Sequence, residues 1–191
     1  MKNLFYLLMI ALLSGCSLKQ EITDINSYSI DFNSKNKSYQ NSSKSIMIED
    51  PLVNNSFNSR SIFYSTKPYL FEEYAKNRWI NVPSNMIYNQ LLDSFSSSKL
   101  FTNVISKDSK LEHKYNLKTD IIKLYHAFEN DKSYAILKIK FDLIEDKKVI
   151  KSYSYDKKVL CKTNDAYGFV EALNKSFEEV VNDLLNNFSF I

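Results

Sequence analysis

The clearest pattern in the chain is the alternation of apolar and polar residues over its second half. It covers residues 113–128, 133–145 and 148–160, and short polar turns at 130–132 and 145–147 separate the three runs. A period of two is typical of β-strands, and one polar and one apolar face mark an antiparallel sheet covered on one side. We therefore expect three long antiparallel strands joined by tight turns.

Two helices are predicted from a different spacing. The first begins at Pro83, a residue suited to a first helical turn, and repeats Ile87, Leu91 and Phe95 every four residues through about residue 97. The second begins after Asp165, a capping residue, and carries a long apolar stripe through about residue 187. Shorter strands are expected at 28–32, 45–49, 60–65 and 100–105, and a strand with a turn at 69–79. The predicted fold class is α+β, a two-layer sandwich of a mainly antiparallel sheet with the two main helices packed on one face.

Composition narrows the classes of function. The 191 residues suit one domain, and 25 basic against 22 acidic residues leave no strong positive field for nucleic acid. Two glycines exclude the glycine-rich loops that bind phosphate. His113 and His126 lie thirteen residues apart, without a cluster of ligands, so we expect no metal site and no cofactor. Cys161 is expected to be a small, half-buried apolar residue at the end of a strand, because no local motif supplies the basic helper that a nucleophile needs.

The N-terminus carries a targeting pattern. A short basic start is followed by ten apolar residues, Leu4 to Leu13, and then by Ser14, Gly15 and Cys16. The apolar run is too short to span a bilayer and has the length of a signal peptide. The pattern resembles the bacterial lipobox, in which the cysteine after the cleavage site receives lipid. We therefore expect a signal peptide at 1–15, lipidation of Cys16, a tether at 16–27 and one folded domain at 28–191.

Several aromatic residues are candidates for binding a partner. Tyr69 and Phe71 belong to a cluster, with Phe63 and Tyr64, that precedes Trp79. An exposed Trp79 beside Arg78 would make a strong contact site in an interface. The alternative is structural: the lone tryptophan covers the core, and Arg78 pairs with a nearby glutamate. The sequence leaves both interpretations open.

The middle of the chain also resembles a known family. The most specific segment is Tyr74-Ala75-Lys76-Asn77-Arg78-Trp79 followed by Pro83, and generic apolar positions continue the likeness over about residues 28–188. Together with the lipobox, this segment resembles the ABC-type transport auxiliary lipoprotein family. The resemblance implies a non-catalytic lipoprotein that accompanies an MCE-domain protein, an MlaE-like permease and its ATPase, in systems that move phospholipid or other hydrophobic molecules.

The functional hypothesis follows from the lipobox and this resemblance. We expect a lipid-anchored protein on the periplasmic face of the outer membrane that docks the MCE protein and could form a ring-shaped homo-oligomer. The residue after Cys16 is Ser17 rather than Asp, which by the usual bacterial sorting rule favours the outer membrane. The alternative is an envelope-assembly lipoprotein scaffold that is unrelated to MCE transport. An enzyme is not expected.

Overall fold

The structure is a computed structural model that describes residues 24–32 and 39–189. The elements follow one another along the chain as β1 (Asn26–Tyr28), β2 (Ser45–Ile48), β3 (Leu52–Val53), β4 (Ser61–Ser65), β5 (Glu72–Trp79), α1 (Pro83–Ser98), β6 (Asn103–Ser106), β7 (Tyr115–Glu129), β8 (Lys132–Glu145), β9 (Lys148–Leu160) and α2 (Ala166–Phe188). The predicted signal peptide, Cys16 and the tether as far as residue 23 lie outside the described residues.

The three long strands are neighbours in the sheet, as the alternation predicts, and β9 forms one edge. β8 pairs antiparallel with β7 on one side and with β9 on the other. Asn130 and Asp131 have positive φ angles in the first turn, and Asp146 and Lys147 have them in the second. Paired positive φ values match the right-handed twist of the flanking strands, so these two-residue turns can join long hairpins.

The prediction of a mainly antiparallel sheet is wrong. The sheet has nine strands and is mixed, because β2, β3 and β4 all pair parallel with the free edge of β7, and the β1–β5 and β2–β6 pairs are also parallel. Alternation identifies the long strands, but it contains no information on the direction in which a strand of two to five residues joins a neighbour. Parallel neighbours need crossover connections, and α1 lies within the connections from β2 to β6 and from β4 to β7.

Both helices pack against the sheet and against each other. Their apolar faces and the inner face of the sheet share one core cluster, in which Phe95, Phe141, Phe177 and Phe188 are almost completely buried. The predicted cap of α2 is confirmed, since the Asp165 carboxylate accepts a hydrogen bond from the Gly168 N–H at 2.8 Å.

A bulge in β7 changes which residues face the core. From Tyr115 to Ile121 the odd-numbered residues are buried, but the pairing with β8 shifts between Ile121 and Lys123. Beyond the shift, Leu124 and His126 face the core, and Tyr125 lies on the open face of the sheet. A bulge inserts one residue into one strand of a pair and therefore reverses the alternation.

We call one end of the sheet the upper end. It consists of the β4–β5 turn (66–71), the β7–β8 turn (130–131) and the segment 161–167 that leads into α2. The Asn164 side chain joins the last two by donating a hydrogen bond to the Asp131 carbonyl at 2.9 Å. The β8–β9 turn at 146–147 lies at the opposite, lower end.

Candidate docking surface

Four aromatic side chains form a cluster on the open face of the sheet near its upper end. Phe57 lies at the centre, with ring centroids 6.0 Å from Phe63, 5.7 Å from Phe71 and 5.9 Å from Tyr125. Phe71 and Tyr125 also meet edge to face at 5.0 Å. Phe57 is buried, whereas Phe71 is 46% exposed. The cluster therefore has a packed base and one aromatic ring that is available to a partner.

Local hydrogen bonds explain why Phe57 lies at this position. The Asn54 N–H donates to the Ile121 carbonyl at 2.9 Å, and the Phe57 N–H donates to the Asn54 carbonyl at 2.7 Å. Together they hold the segment after β3 against β7, in the gap between β3 and β4. Burial raises the pKa of the Tyr125 hydroxyl, so this ring stays neutral at physiological pH.

A groove opens beside this cluster. β4 pairs with β7 only at Tyr64 and Ser65, and the chain then leaves β7 to form the β4–β5 turn. The resulting groove of about 560 Å³ is lined on one side by residues of that turn and on the other by the end of β7, including Tyr125, Phe128 and Glu129. The surface thus combines apolar rings, a carboxylate and unpaired strand edge.

The turn itself holds Tyr69 in an unusual conformation. The Leu70 N–H donates to the Lys67 carbonyl at 3.2 Å, and the Ser65 hydroxyl donates to the same carbonyl at 3.0 Å. Pro68 occupies the second position of this turn and Tyr69 the third, with a φ of 68°. Positive φ at the third position is a feature of type II turns, in which glycine is normally found there. The side chain of Tyr69 is fully exposed, so the turn presents the ring to the outside.

Trp79 and Arg78, the other two predicted partner-binding residues, lie elsewhere. Trp79 is only 1% exposed and packs against Phe169 of α2 at 6.0 Å. Its side chain cannot contact a partner, so its prediction as a binding residue is corrected to a core position, the alternative that the sequence left open. Arg78 is half-buried, and its Nε donates to the Ser27 hydroxyl of β1 at 3.5 Å.

The fold also brings together His126, Cys161 and Tyr74, which lie far apart in the sequence. The Cys161 Sγ lies 3.6 Å from Nε2 of His126, and the Tyr74 hydroxyl oxygen lies 2.7 Å from Nδ1 of the same ring. Burial lowers the pKa of His126 to about 4 and raises those of Cys161 and Tyr74. A reactive cysteine needs a thiolate and a basic partner at neutral pH. Here His126 and Cys161 are buried, Tyr74 is half-buried, and all three are neutral, so this row of contacts is a structural feature of the core.

Sequence reasoning missed Tyr125, Phe57 and the His126–Cys161 contact. Strict alternation from Tyr115 places Tyr125 inside and His126 outside, and the bulge exchanges them. The available signal was the adjacent pair Ile121 and Ile122, which breaks the alternation at this point. Of the aromatic residues that the sequence grouped before Trp79, Tyr64 faces inward, against Tyr74 and Phe128. Phe63 and Phe71 lie on the open face.

Residues 24–32 and 39–189 contain no group of three or more His, Cys, Asp or Glu side chains that could hold a metal ion. Within the same ranges, neither helix combines the length and apolarity that crossing a membrane requires.

Comparison with known proteins shows likeness in fold. A crystal structure of a Xanthomonas campestris protein, described as DUF330, matches with a TM-score of 0.75 and 15% identity over 84% of this chain and 92% of that one. A second, described as an uncharacterized protein, matches with a TM-score of 0.70 and 10% identity over 86% and 98% of the two chains. A hypothetical protein from Chlamydia trachomatis matches with a TM-score of 0.53 and 8% identity over 77% and 98%.

These findings correct the predicted family. No family model matches the chain, and no curated protein matches it. At 15% identity or less, the structural matches show the fold alone, and their descriptions are DUF330, uncharacterized and hypothetical. The predicted membership in the ABC-type transport auxiliary lipoprotein family is therefore wrong as stated. What the comparisons support is the fold of a DUF330 protein, without assignment to a family.

Proposed function

We propose that this chain is a lipid-anchored, non-catalytic docking protein on the periplasmic face of the outer membrane. The lipobox-like sequence ending at Cys16 supports the anchor. The observation that carries the docking role is the cluster of Phe57, Phe63, Phe71 and Tyr125 beside the groove. Its exposed ring lies over a packed aromatic base, and rings held in this way dominate the binding energy of many interfaces.

Charge around the cluster favours a protein partner over a single small ligand. The groove opens to solvent, and beyond it the open face carries ion pairs such as Lys138–Asp156 at 3.1 Å and Lys140–Asp142 at 2.7 Å. An apolar centre surrounded by a polar rim is typical of protein interfaces. The partner that we propose is an MCE-domain protein, with its permease and ATPase, so that the chain serves as an auxiliary component in the transport of phospholipid or another hydrophobic molecule.

The test is crosslinking in cells followed by affinity purification of the lipidated protein and mass spectrometry. We expect an MCE protein among the products, and we expect Phe71→Ala to reduce its recovery about tenfold, the loss of a contact worth roughly 1.4 kcal/mol. Leu111→Ala is the matched control, since Leu111 is 67% exposed but lies near the lower end of the sheet.

The outcomes separate the hypotheses. Recovery of a different envelope complex, lost with Phe71→Ala and kept with Leu111→Ala, would keep the docking surface and favour the envelope-assembly scaffold. Partners recovered equally from both variants would contradict the docking surface. Thermal unfolding of Phe71→Ala identifies any loss that comes from the fold instead of the contact.

A further inference from the structure

The direction in which the chain enters the fold indicates which end of the molecule faces the membrane. β1 pairs parallel with β5, with Asn26 opposite Asn77. β5 begins at the β4–β5 turn and runs downward, so β1 also runs downward. The chain therefore enters β1, through Asp24 and Ile25, from the side of the upper end.

The chain between Cys16 and β1 is long enough for the lipid to reach the upper end. Asn26 pairs with Asn77 of β5, and the next residue of β5, Arg78, pairs with Ser61 at the start of β4. Asn26 therefore lies at the height of the start of β4. β4 rises only five residues to the turn, or about 17 Å. Seven residues lie between Cys16 and Asp24, and the eight residue steps from one to the other span at most about 28 Å. A lipid on Cys16 can therefore lie in a membrane that touches the upper end.

The side chains at the upper end have the chemistry of a membrane interface. Tyr69 is fully exposed, Tyr167 is 64% exposed in the first turn of α2, and Leu160 is 54% exposed at the end of β9. Tyrosine is enriched where one end of a side chain is apolar and the other is wet, as at the headgroup layer. Two lysines of this end are held in ion pairs, Lys158 with Glu129 and Lys162 with Glu171.

The conformation of Tyr69 adds an independent argument. An L-residue with φ near +60° costs about 1–2 kcal/mol, and no packing against the protein offsets this cost, since the ring is fully exposed. Strain of this kind clusters at functional sites. A ring held outward at the end nearest the anchor would gain contacts only when the upper end meets another surface.

We infer that the upper end, through Tyr69, Tyr167 and Leu160, rests on the headgroup layer of the bilayer to which the protein is anchored. The strands then stand away from the membrane, and the open face with Phe71 and Tyr125 faces sideways, free for a partner. This inference rests on the proposed lipid anchor at Cys16 and adds the membrane surface as a second binding partner.

The experiment uses the full-length lipidated protein in vesicles of phosphatidylethanolamine and phosphatidylglycerol. Trp79 is the only natural tryptophan and is buried, so it gives a constant background. Tryptophan is introduced as Tyr69→Trp, as Leu160→Trp or, as a matched control, as Val149→Trp. Leu160 and Val149 belong to the same strand and are 54% and 56% exposed, but they lie at opposite ends of it.

The readout is quenching by lipids that carry a nitroxide on the headgroup. We expect the emission added at positions 69 and 160 to fall about twofold or more, and the emission added at position 149 to stay unchanged, because interfacial side chains lie at headgroup depth. Equal quenching at 149 and 160, or no quenching at 69 and 160, would overturn the orientation. If Tyr69→Trp responds only to an added partner protein and not to lipid, the membrane contact is likewise rejected.

Flotation of the vesicles separates the two proposals. Protein that floats with the vesicles but shows no quenching at the upper end contradicts only the orientation. Protein that fails to float, like a version made without the lipid, contradicts the anchor and the orientation together.

Discussion

Burial keeps the imidazole of His126 uncharged. The ring is fully buried between Tyr74, Phe169 and Cys161, and desolvation lowers its pKa to about 4, whereas an unperturbed histidine titrates near 6.5. Its two nitrogens are occupied by neutral partners in the core. At the scale of single residues, this group changes its protonation between the folded and the unfolded chain in the range below pH 6.5.

Stability should therefore decrease as the pH falls from 6.5 to 4. In this range the unfolded chain binds a proton at His126 that the folded chain does not, so the free energy of unfolding falls by up to about 1.4 kcal/mol per pH unit and about 3 kcal/mol in all. Urea unfolding at pH 7, 6, 5 and 4.5 measures the slope. His126→Gln removes the titrating group and should flatten it, and an equal slope in both proteins would contradict this assignment.

Below pH 4 the carboxylates act in the same direction. The backbone N–H of Gly168 and the Thr163 hydroxyl lower the pKa of Asp165. At Asp142 burial raises the pKa, but hydrogen bonds from Lys140 and Ser152 outweigh it and the net shift is downward. Both groups stabilise the fold when ionised, and that contribution is lost as they are protonated. Because an unfolded aspartate has a pKa of 3.8, these carboxylates contribute little to the slope above about pH 5, and the loss between pH 6.5 and 5 is assigned to His126.

At the scale of elements, the β4–β5 turn exposes the ring of Tyr69 and lowers the stability of the fold. Glycine adopts positive φ without the steric cost that Tyr69 bears. We predict that Tyr69→Gly raises the free energy of unfolding by about 0.5–1 kcal/mol, while Tyr69→Ala, which keeps a Cβ in the same backbone conformation, brings no such gain. Chemical denaturation of the two variants measures the difference. Equal stability of the glycine and alanine variants would show that the turn is not strained by its tyrosine.

Elements differ in how far the sequence predicts them. The hairpins of β7, β8 and β9 and both helices follow from periodicity, because each of these elements is more than ten residues long and repeats its pattern several times. The short strands β1 to β4 were predicted in part, β3 not at all, and their parallel pairing could not be predicted. Two to five residues contain too few side chains to fix a direction, and the direction of β2, β3 and β4 is seen only in their pairing with β7.

The candidate surface shows the same limit. Phe71 and Tyr69 could be selected from the sequence as an aromatic cluster, but Phe57 and Tyr125 join it only through the bulge in β7 and the hydrogen bonds of Asn54. One inserted residue reverses the face of every side chain beyond it. The same shift turns His126 inward, next to Cys161, so one local irregularity accounts for both errors.

At the scale of the whole molecule, the described residues share one apolar core, to which both helices and most of the strands contribute. Cys161 is a free thiol, so no disulfide joins the described elements. The core is large enough to stabilise the fold without a disulfide, as is usual for a domain of this length. The folded domain should therefore be independent of its anchor.

This independence leads to a prediction about attachment. If residues 1–16 are replaced by an ordinary cleavable secretory signal, the chain should appear in the soluble periplasmic fraction with an unchanged thermal midpoint. A single acyl chain already binds a bilayer only marginally, and the exposed rings of Tyr69 and Tyr167 bury less apolar surface than one acyl chain does. The upper end would then orient a protein that the lipid retains, without being able to retain it alone. Fractionation of cells after osmotic shock measures the distribution, and a chain that stays on washed membranes without its lipid would show that the domain binds the bilayer, or a protein in it, far more strongly than two tyrosines allow.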